Sequence, residues 1–252
     1  MKIHPCERVA IVGPSGCGKS TIVGLFQKIW EPSEGGIYAS NFVSPSNEKD
    51  SIGIPLSEIE TKHLRNKLCL VSQSPQLFNE SVASNIRYGS PIISDEAVRN
   101  AAKAANVHEV IMGLRGGYGC VIGGGGDTGS DGENKGSGSG CLSGGEMQRV
   151  QIARALARVQ AAGGAEVLIL DECTSALDAE NEGKVMDAIR GIVHGAGSVT
   201  VIIVTHKISV MQLCDRIIVL GDGSVQEEGS FEGLMSRRGV FASLVSGGEF
   251  MG

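Results

Sequence analysis

A chain of 252 residues that is 41% apolar and 20% charged has enough apolar content for one folded unit or two closely joined ones, which excludes disorder throughout. A formal charge of −6 argues against a nucleic-acid or anionic-membrane surface as the main partner and leaves room for a local phosphate pocket. Glycine, at 37 residues, is well above the usual share of ~7%, so the places where that backbone freedom collects matter.

The seven cysteines, at 6, 17, 69, 120, 141, 173 and 214, form no Cys-x-x-Cys pair or other metal spacing, and reduced thiols are expected. Met1 is followed by no charged-then-apolar leader. The longest uncharged stretch, Gly191 to Thr205, is interrupted by glycines, His194 and Ser198 and is too short and polar to span a bilayer. The chain is expected to be soluble and intracellular, with any membrane-spanning part supplied elsewhere.

In chain order, Val9–Val12 is an apolar run too short for a helix and reads as a buried strand. Gly13 to Ser20 follows directly and opens a helical pattern. Ser40 to Ser57, rich in Ser, Asn and Pro, reads as a surface loop, and Leu68–Val71 as a second strand. From about Pro75 to Gln160 the patterns are helical, notably Ser94 to Met112 with Asp95 and Glu96 in the first turn. Within that region Gly123 to Gly140 holds nine glycines in eighteen residues and no apolar residue, the composition of a solvated, tolerated insertion or else of a regulatory or partner-binding one. Ile152, Ala155, Leu156 and Val159 mark an amphipathic helix, and so do Val185, Ala188, Ile189 and Ile192. Val167–Leu170, Val199–Val204 and Ile217–Leu220 complete a set of buried parallel strands. The alternation implies an α/β fold, with a core from residues 1–74 and 161–252 and a helical subdomain inserted at 75–160.

Gly13-Pro14-Ser15-Gly16-Cys17-Gly18-Lys19-Ser20, between a strand and a helix, has the G-x-x-x-x-G-K-[ST] spacing of a phosphate loop. Glycines let successive N–H groups converge on a phosphate, and the helix that continues through Thr21 adds its positive end. Lys19 would meet the β and γ phosphates and Ser20 would ligate Mg²⁺. The bland alternative is a glycine turn with a surface lysine. Asp171 and Glu172, at the exit of the apolar run Val167–Leu170, suit a Mg²⁺ shell and a proton acceptor respectively, or else a plain solvated strand end. Leu142-Ser143-Gly144-Gly145-Glu146 precedes a helix, so Ser143 caps while the Gly144 and Gly145 amides lie exposed as a second anion site, unless the glycines serve only a tight entry turn.

These elements, taken together and in order, resemble the nucleotide-binding domain of ABC transporters. Gly13 to Ser20 matches Walker A, Val71-Ser72-Gln73 the Q-loop and Leu142 to Glu146 the signature. Val167 to Glu172 matches Walker B, Ser175 to Asp178 the D-loop and His206 the switch histidine. Gln73 to Asn79, Ser84 to Gly89 and Gly117-Tyr118 look like the exporter branch. The resemblance implies a P-loop NTPase with a RecA-like parallel-sheet core and an inserted α-helical subdomain. It implies ATP and Mg²⁺ as ligands, a head-to-tail dimer of two such domains sandwiching two ATP molecules, and a transmembrane domain as partner on the cytoplasmic face of a membrane. Gln73 would sense Mg²⁺ or water, and His206 would touch the γ-phosphate.

The chain departs from the family pattern at four points. No aromatic residue precedes Gly13, so adenine contact is expected to be weak and the chain reads as cut from a longer protein. The glycine-rich insert replaces the glutamate-containing segment that exporters place before the signature. Glu146 stands where glutamine is usual, and Cys173 follows Walker B. Two rival readings are a soluble ABC-type ATPase of DNA repair or translation, and a truncated domain that binds ATP with little turnover. Against the first stand the absence of a long coiled-coil insertion, a second cassette and a basic patch.

Overall fold

The computed structural model describes residues 1–40, 53–90, 92–122, 142–161, 163–173, 183–187, 189–191 and 199–248. The glycine-rich insert, most of the Ser40–Ser57 stretch, the D-loop positions, Ala188 and Ile192 lie outside them.

Strand β1 (Arg8–Val12) leads through the phosphate loop into helix α1 (Lys19–Phe26). A two-residue ladder, β2 (Tyr38–Ala39) with β3 (Ile54–Pro55), closes the base of the stretch expected to be loop throughout. Helix α2 (Thr61–Lys67) then feeds β4 (Leu68–Val71). The helical segment follows, with β5 (Glu80–Ser81), α3 (Val82–Arg87), α4 (Asp95–Ala104), α5 (His108–Gly113), β6 (Val121–Ile122) and α6 (Gly144–Gln160). The chain returns to the sheet with β7 (Val167–Asp171), helical residues 183–187 and 189–191 (α7), and β8 (Thr200–Val204). It ends with α8 (Ile208–Met211), β9 (Arg216–Gly221), β10 (Ser224–Gly229), α9 (Phe231–Arg237) and α10 (Val240–Ser246).

The main sheet runs β10-β9-β1-β8-β7-β4. Its five apolar strands, β9, β1, β8, β7 and β4, are parallel and correspond to the five apolar runs of the sequence, because strands covered on both faces have no polar side to show. β10 is antiparallel to β9 with an irregularity between Val225 and Glu227. Its polar sequence, SVQEEG, gave no sign of a strand.

Opposite faces of the strands feed different cores. Val9, Ile11, Ile169, Ile202, Val204 and Ile218 pack with Val23 and Cys17 of the α1 side. Leu168, Leu170, Val201 and Ile203 share a core with Ile86, Val98, Ile111, Val150 and Ile152, so the helical segment is continuous with one face of the sheet. The span Ser94 to Met112 is two helices, broken where Asn106 adopts φ 54°. Ser94 caps the first by accepting a hydrogen bond from the Ala97 N–H at 3.2 Å, as its sequence signal requires.

Candidate active site

Parallel register brings four sequence elements to one edge. Ile11 pairs with Val204, Val204 with Asp171, and Leu170 with Val71. The carboxyl ends of β1, β8, β7 and β4 therefore deliver, side by side, the loop 13–20, His206, Asp171 with Glu172, and Gln73. Three strand spacings, ~14 Å, separate the first from the last. Ligands of open α/β sheets bind at this edge.

The loop needs its glycines. Gly13, Gly16 and Gly18 hold φ of 153°, 80° and 105°, conformations that side chains resist. Gly18 caps α1 with no side-chain hydrogen bond, whereas Ser81, Ser94, Ser143 and Ser230 cap α3, α4, α6 and α9. The first-turn N–H groups of α1, those of Lys19, Ser20 and Thr21, thus remain for a ligand. Ser15, Gly16, Ser20 and Thr21 are exposed, Pro14 is half-buried, and Gly13 and Cys17 are buried. Lys19 is only 6% exposed, and its ammonium donates to the carbonyls of Gly13 at 2.8 Å and Pro14 at 3.0 Å. A buried ammonium bonded to neutral carbonyls is placed to receive an anion.

Glu172, the first residue past β7, has φ 44°, a left-handed conformation that costs a non-glycine residue about 1 kcal/mol or more. Its N–H donates to the Val204 carbonyl at 2.9 Å. The turn carries its Oε1 to 2.7 Å from Nε2 of His206. His206 is presented by Thr205, which is buried and whose hydroxyl accepts from the Lys207 N–H at 3.0 Å. Burial, and then the adjacent Glu172 carboxylate, push Asp171 above its ordinary carboxyl pKa, while Lys19 pulls it back. Such a carboxylate is relieved by a cation. Cys173 is buried, its thiol pushed up to about 12 by that burial, so it stays neutral and inert here. Among the described residues no three His, Cys, Asp or Glu side chains cluster as a metal cage. An oxygen-only pair such as Ser20 and Asp171 fits an ion that takes its other ligands from phosphates and water, as Mg²⁺ does.

The second glycine element lies elsewhere. Ser143 caps α6 in a capping box: its N–H donates to Glu146 Oε2 at 2.7 Å, and the Glu146 N–H donates to Ser143 Oγ at 3.4 Å. Ser143 and Gly144 are exposed, but Gly145 is buried, contrary to the expectation that both glycines are open. The Glu146 carboxylate is thus engaged by its own helix cap. Among the described residues no hydrogen bond or ion pair joins residues 142–146 to the loop 13–20.

Two residues of the helix behind that cap were missed by the sequence reading. Gln148 and Gln151 extend the stripe of Ile152 and Ala155 and are buried. Their signal is a polar residue at a stripe position.

The fold and this edge define a P-loop nucleoside triphosphatase. A family described as ABC transporter matches residues 1–175 by its sequence profile. The chain belongs to that family, whose ATP-binding domains bind and hydrolyse ATP. It is 40% identical over 248 residues to ABC transporter B family member 26, chloroplastic, of Arabidopsis thaliana, covering 97% of this chain and 31% of the relative. It is 37% identical over 242 residues to an ATP-dependent lipid A-core flippase of Saccharophagus degradans, covering 96% and 36%. A solved bacterial Atm1-family ABC exporter with ATP bound matches at a TM-score of 0.77 and 33% identity, covering 98% of this chain and 37% of that one. The chain thus spans about a third of the length of these relatives. Among the described residues no helix is long and apolar enough to cross a membrane.

Proposed function

We propose that the chain is the ATP-hydrolysing domain of an ABC exporter. It closes on a second such domain around two ATP molecules and reopens after turnover to drive an attached transmembrane domain from the cytoplasmic side. Residues Gly13 to Thr21 cradle the phosphates, with Lys19 turning from its carbonyls to the β and γ groups. Ser20 and Asp171, with Gln73, would hold Mg²⁺, which when bound draws charge from the phosphate oxygens. Glu172 accepts the proton of the attacking water, and His206 orients Glu172 and contacts the γ-phosphate. Ser143, Gly144 and Gly145 face the triphosphate held by the other molecule, and Glu146 acts by shaping that cap.

The observation that carries this reading is the Glu172–His206 contact on the same sheet edge as the Lys19 loop. The separateness of the Ser143 cap supports a two-molecule site, since a symmetric pair lets two anion-binding elements meet one phosphate chain. The names of the relatives, a flippase and an exporter, support outward transport. Phe78 and Tyr88, exposed and stacked with ring centroids 4.1 Å apart over Arg154, offer the helical segment a face for the transmembrane domain.

The test compares phosphate release by the chain and by its Glu172→Gln variant, with sedimentation in Mg-ATP. The variant is expected to bind ATP, to lose turnover about 100-fold or more and to sediment as a dimer. Equal turnover would remove Glu172 from the proton-accepting role, and a monomer in saturating ATP would remove the two-molecule site.

A further inference from the structure

Two glutamines are buried on α6 among alanines, valine and leucine, Gln148 at 2% and Gln151 at 4% exposure. Spaced three apart, they share a helix face. Burying an amide is unfavourable unless it is bonded, and both direct their N–H groups at one residue. Gln148 Nε2 donates to the Ser72 carbonyl at 3.1 Å, and Gln151 Nε2 donates to the Ser72 hydroxyl at 3.0 Å. That hydroxyl donates onward to the Ser74 carbonyl at 2.8 Å. The backbone is therefore tied on both sides of Gln73, and both ties run to α6.

Packing does not account for this choice of residue. Among the described residues Gln151 Oε1 is buried with no hydrogen-bond partner, so the amide is a poor filler there, and a methionine of similar shape would leave no orphaned oxygen. What the amide supplies is direction.

We propose that Gln148 and Gln151 are positioning residues that lock Gln73 to the helix carrying the Ser143 cap. This rests on the reading of Gln73 and Ser143 as parts of ATP sites. At 1.5 Å per residue, Gln148 stands only ~7.5 Å along the axis from Ser143. Gln73 serves the nucleotide of its own chain and Ser143 that of the other molecule. The clamp makes the two move as one body, so each nucleotide site is felt at the other.

The experiment replaces both side chains, Gln148→Met and Gln151→Met, and separately Ser72→Ala, in the full chain. Steady-state phosphate release should show kcat down about tenfold with KM within about twofold. Hydrogen–deuterium exchange at the backbone N–H groups of Ser72, Gln73, Ser74 and Gln76 should rise about tenfold without nucleotide present. Combining Ser72→Ala with Gln151→Met should cost no more than either alone, because both cut the same link. Native kcat in the variants, or a rise in KM alone, overturns the proposal. A native chain that releases no phosphate overturns the hydrolase reading instead. The clamp then stands or falls on exchange, and unchanged protection at Ser72, Gln73, Ser74 and Gln76 overturns it. Should the double replacement fail to fold, the Ser72→Ala chain carries the same readouts.

Discussion

Oε1 of Glu172 and Nε2 of His206 meet at 2.7 Å across neighbouring strands, each side chain only partly exposed. The contact is set by register, Asp171 against Val204, and by the left-handed turn at Glu172. A carboxylate so held needs little reorganisation to take up a proton-accepting position.

Removing the partner should therefore loosen the base without emptying the phosphate loop. His206→Ala is expected to lower turnover about 10- to 100-fold while the calorimetric Kd for ATP stays within about threefold. His206→Gln, which keeps a donor, should recover part of the loss. A Kd that rises as steeply as turnover falls would make His206 a binding residue only.

Lys19 is expected to matter for affinity above all. Its ammonium is already buried and aimed along the loop, so Lys19→Ala should raise the Kd for ATP at least about tenfold in calorimetry. Unchanged binding would contradict its phosphate role.

The loop's first glycine has no room for a methyl group. A Cβ on Gly13 would come to 2.3 Å from the Leu220 carbonyl oxygen and 2.8 Å from Cys17 Sγ. Gly13→Ala should destabilise the fold by about 2–4 kcal/mol in urea titration. Gly144→Ala, whose Cβ would meet nothing within 4 Å, should leave stability unchanged or raise it by about 0.5 kcal/mol.

Acid should weaken one named tie between β1 and the residue that leads into β9. Asp215 accepts from the Arg8 N–H at 3.0 Å and from Arg8 Nε at 2.9 Å, and these bonds to Arg8 hold its carboxyl below the ordinary value. The folded pKa is depressed, so the contribution is fully present above the unfolded value of ~4 and fades as pH falls through the lower folded one. The stability gap between the chain and Asp215→Asn should accordingly be constant from about pH 7 to 5 and close below about pH 4. With 41% of the Asp215 side chain exposed, the gap should not exceed about 1 kcal/mol. A gap that widens in acid would reverse the assignment.

The parallel strands were legible because Val9–Val12 or Val167–Leu170 can be buried on both faces only in such a sheet. β10 was not, since Glu227 and Glu228 follow no apolar alternation and the strand exists only because β9 offers it a ladder. The split between α4 and α5 depends on one backbone angle at Asn106, which composition does not announce. At the candidate site, residue types and spacing point to Lys19, Asp171 and Glu172, and His206 is legible only through the family resemblance. Their convergence on one edge, and the bond between Glu172 and His206, come from strand register. The ties from Ser72 to Gln148 and Gln151 span 76 and 79 residues and have no local trace at all.

At the open side of the sheet, Glu227 is occupied in capping α10, accepting from the Val240 N–H at 3.1 Å and the Phe241 N–H at 2.9 Å, and Glu228 pairs with Arg216 at 3.0 Å. The last strand therefore presents a kinked, acidic border whose side chains are already committed. A stray strand from a crowded neighbour finds neither a flat rail nor an apolar one to join, so two of these molecules are discouraged from fusing sideways into a continuous ribbon.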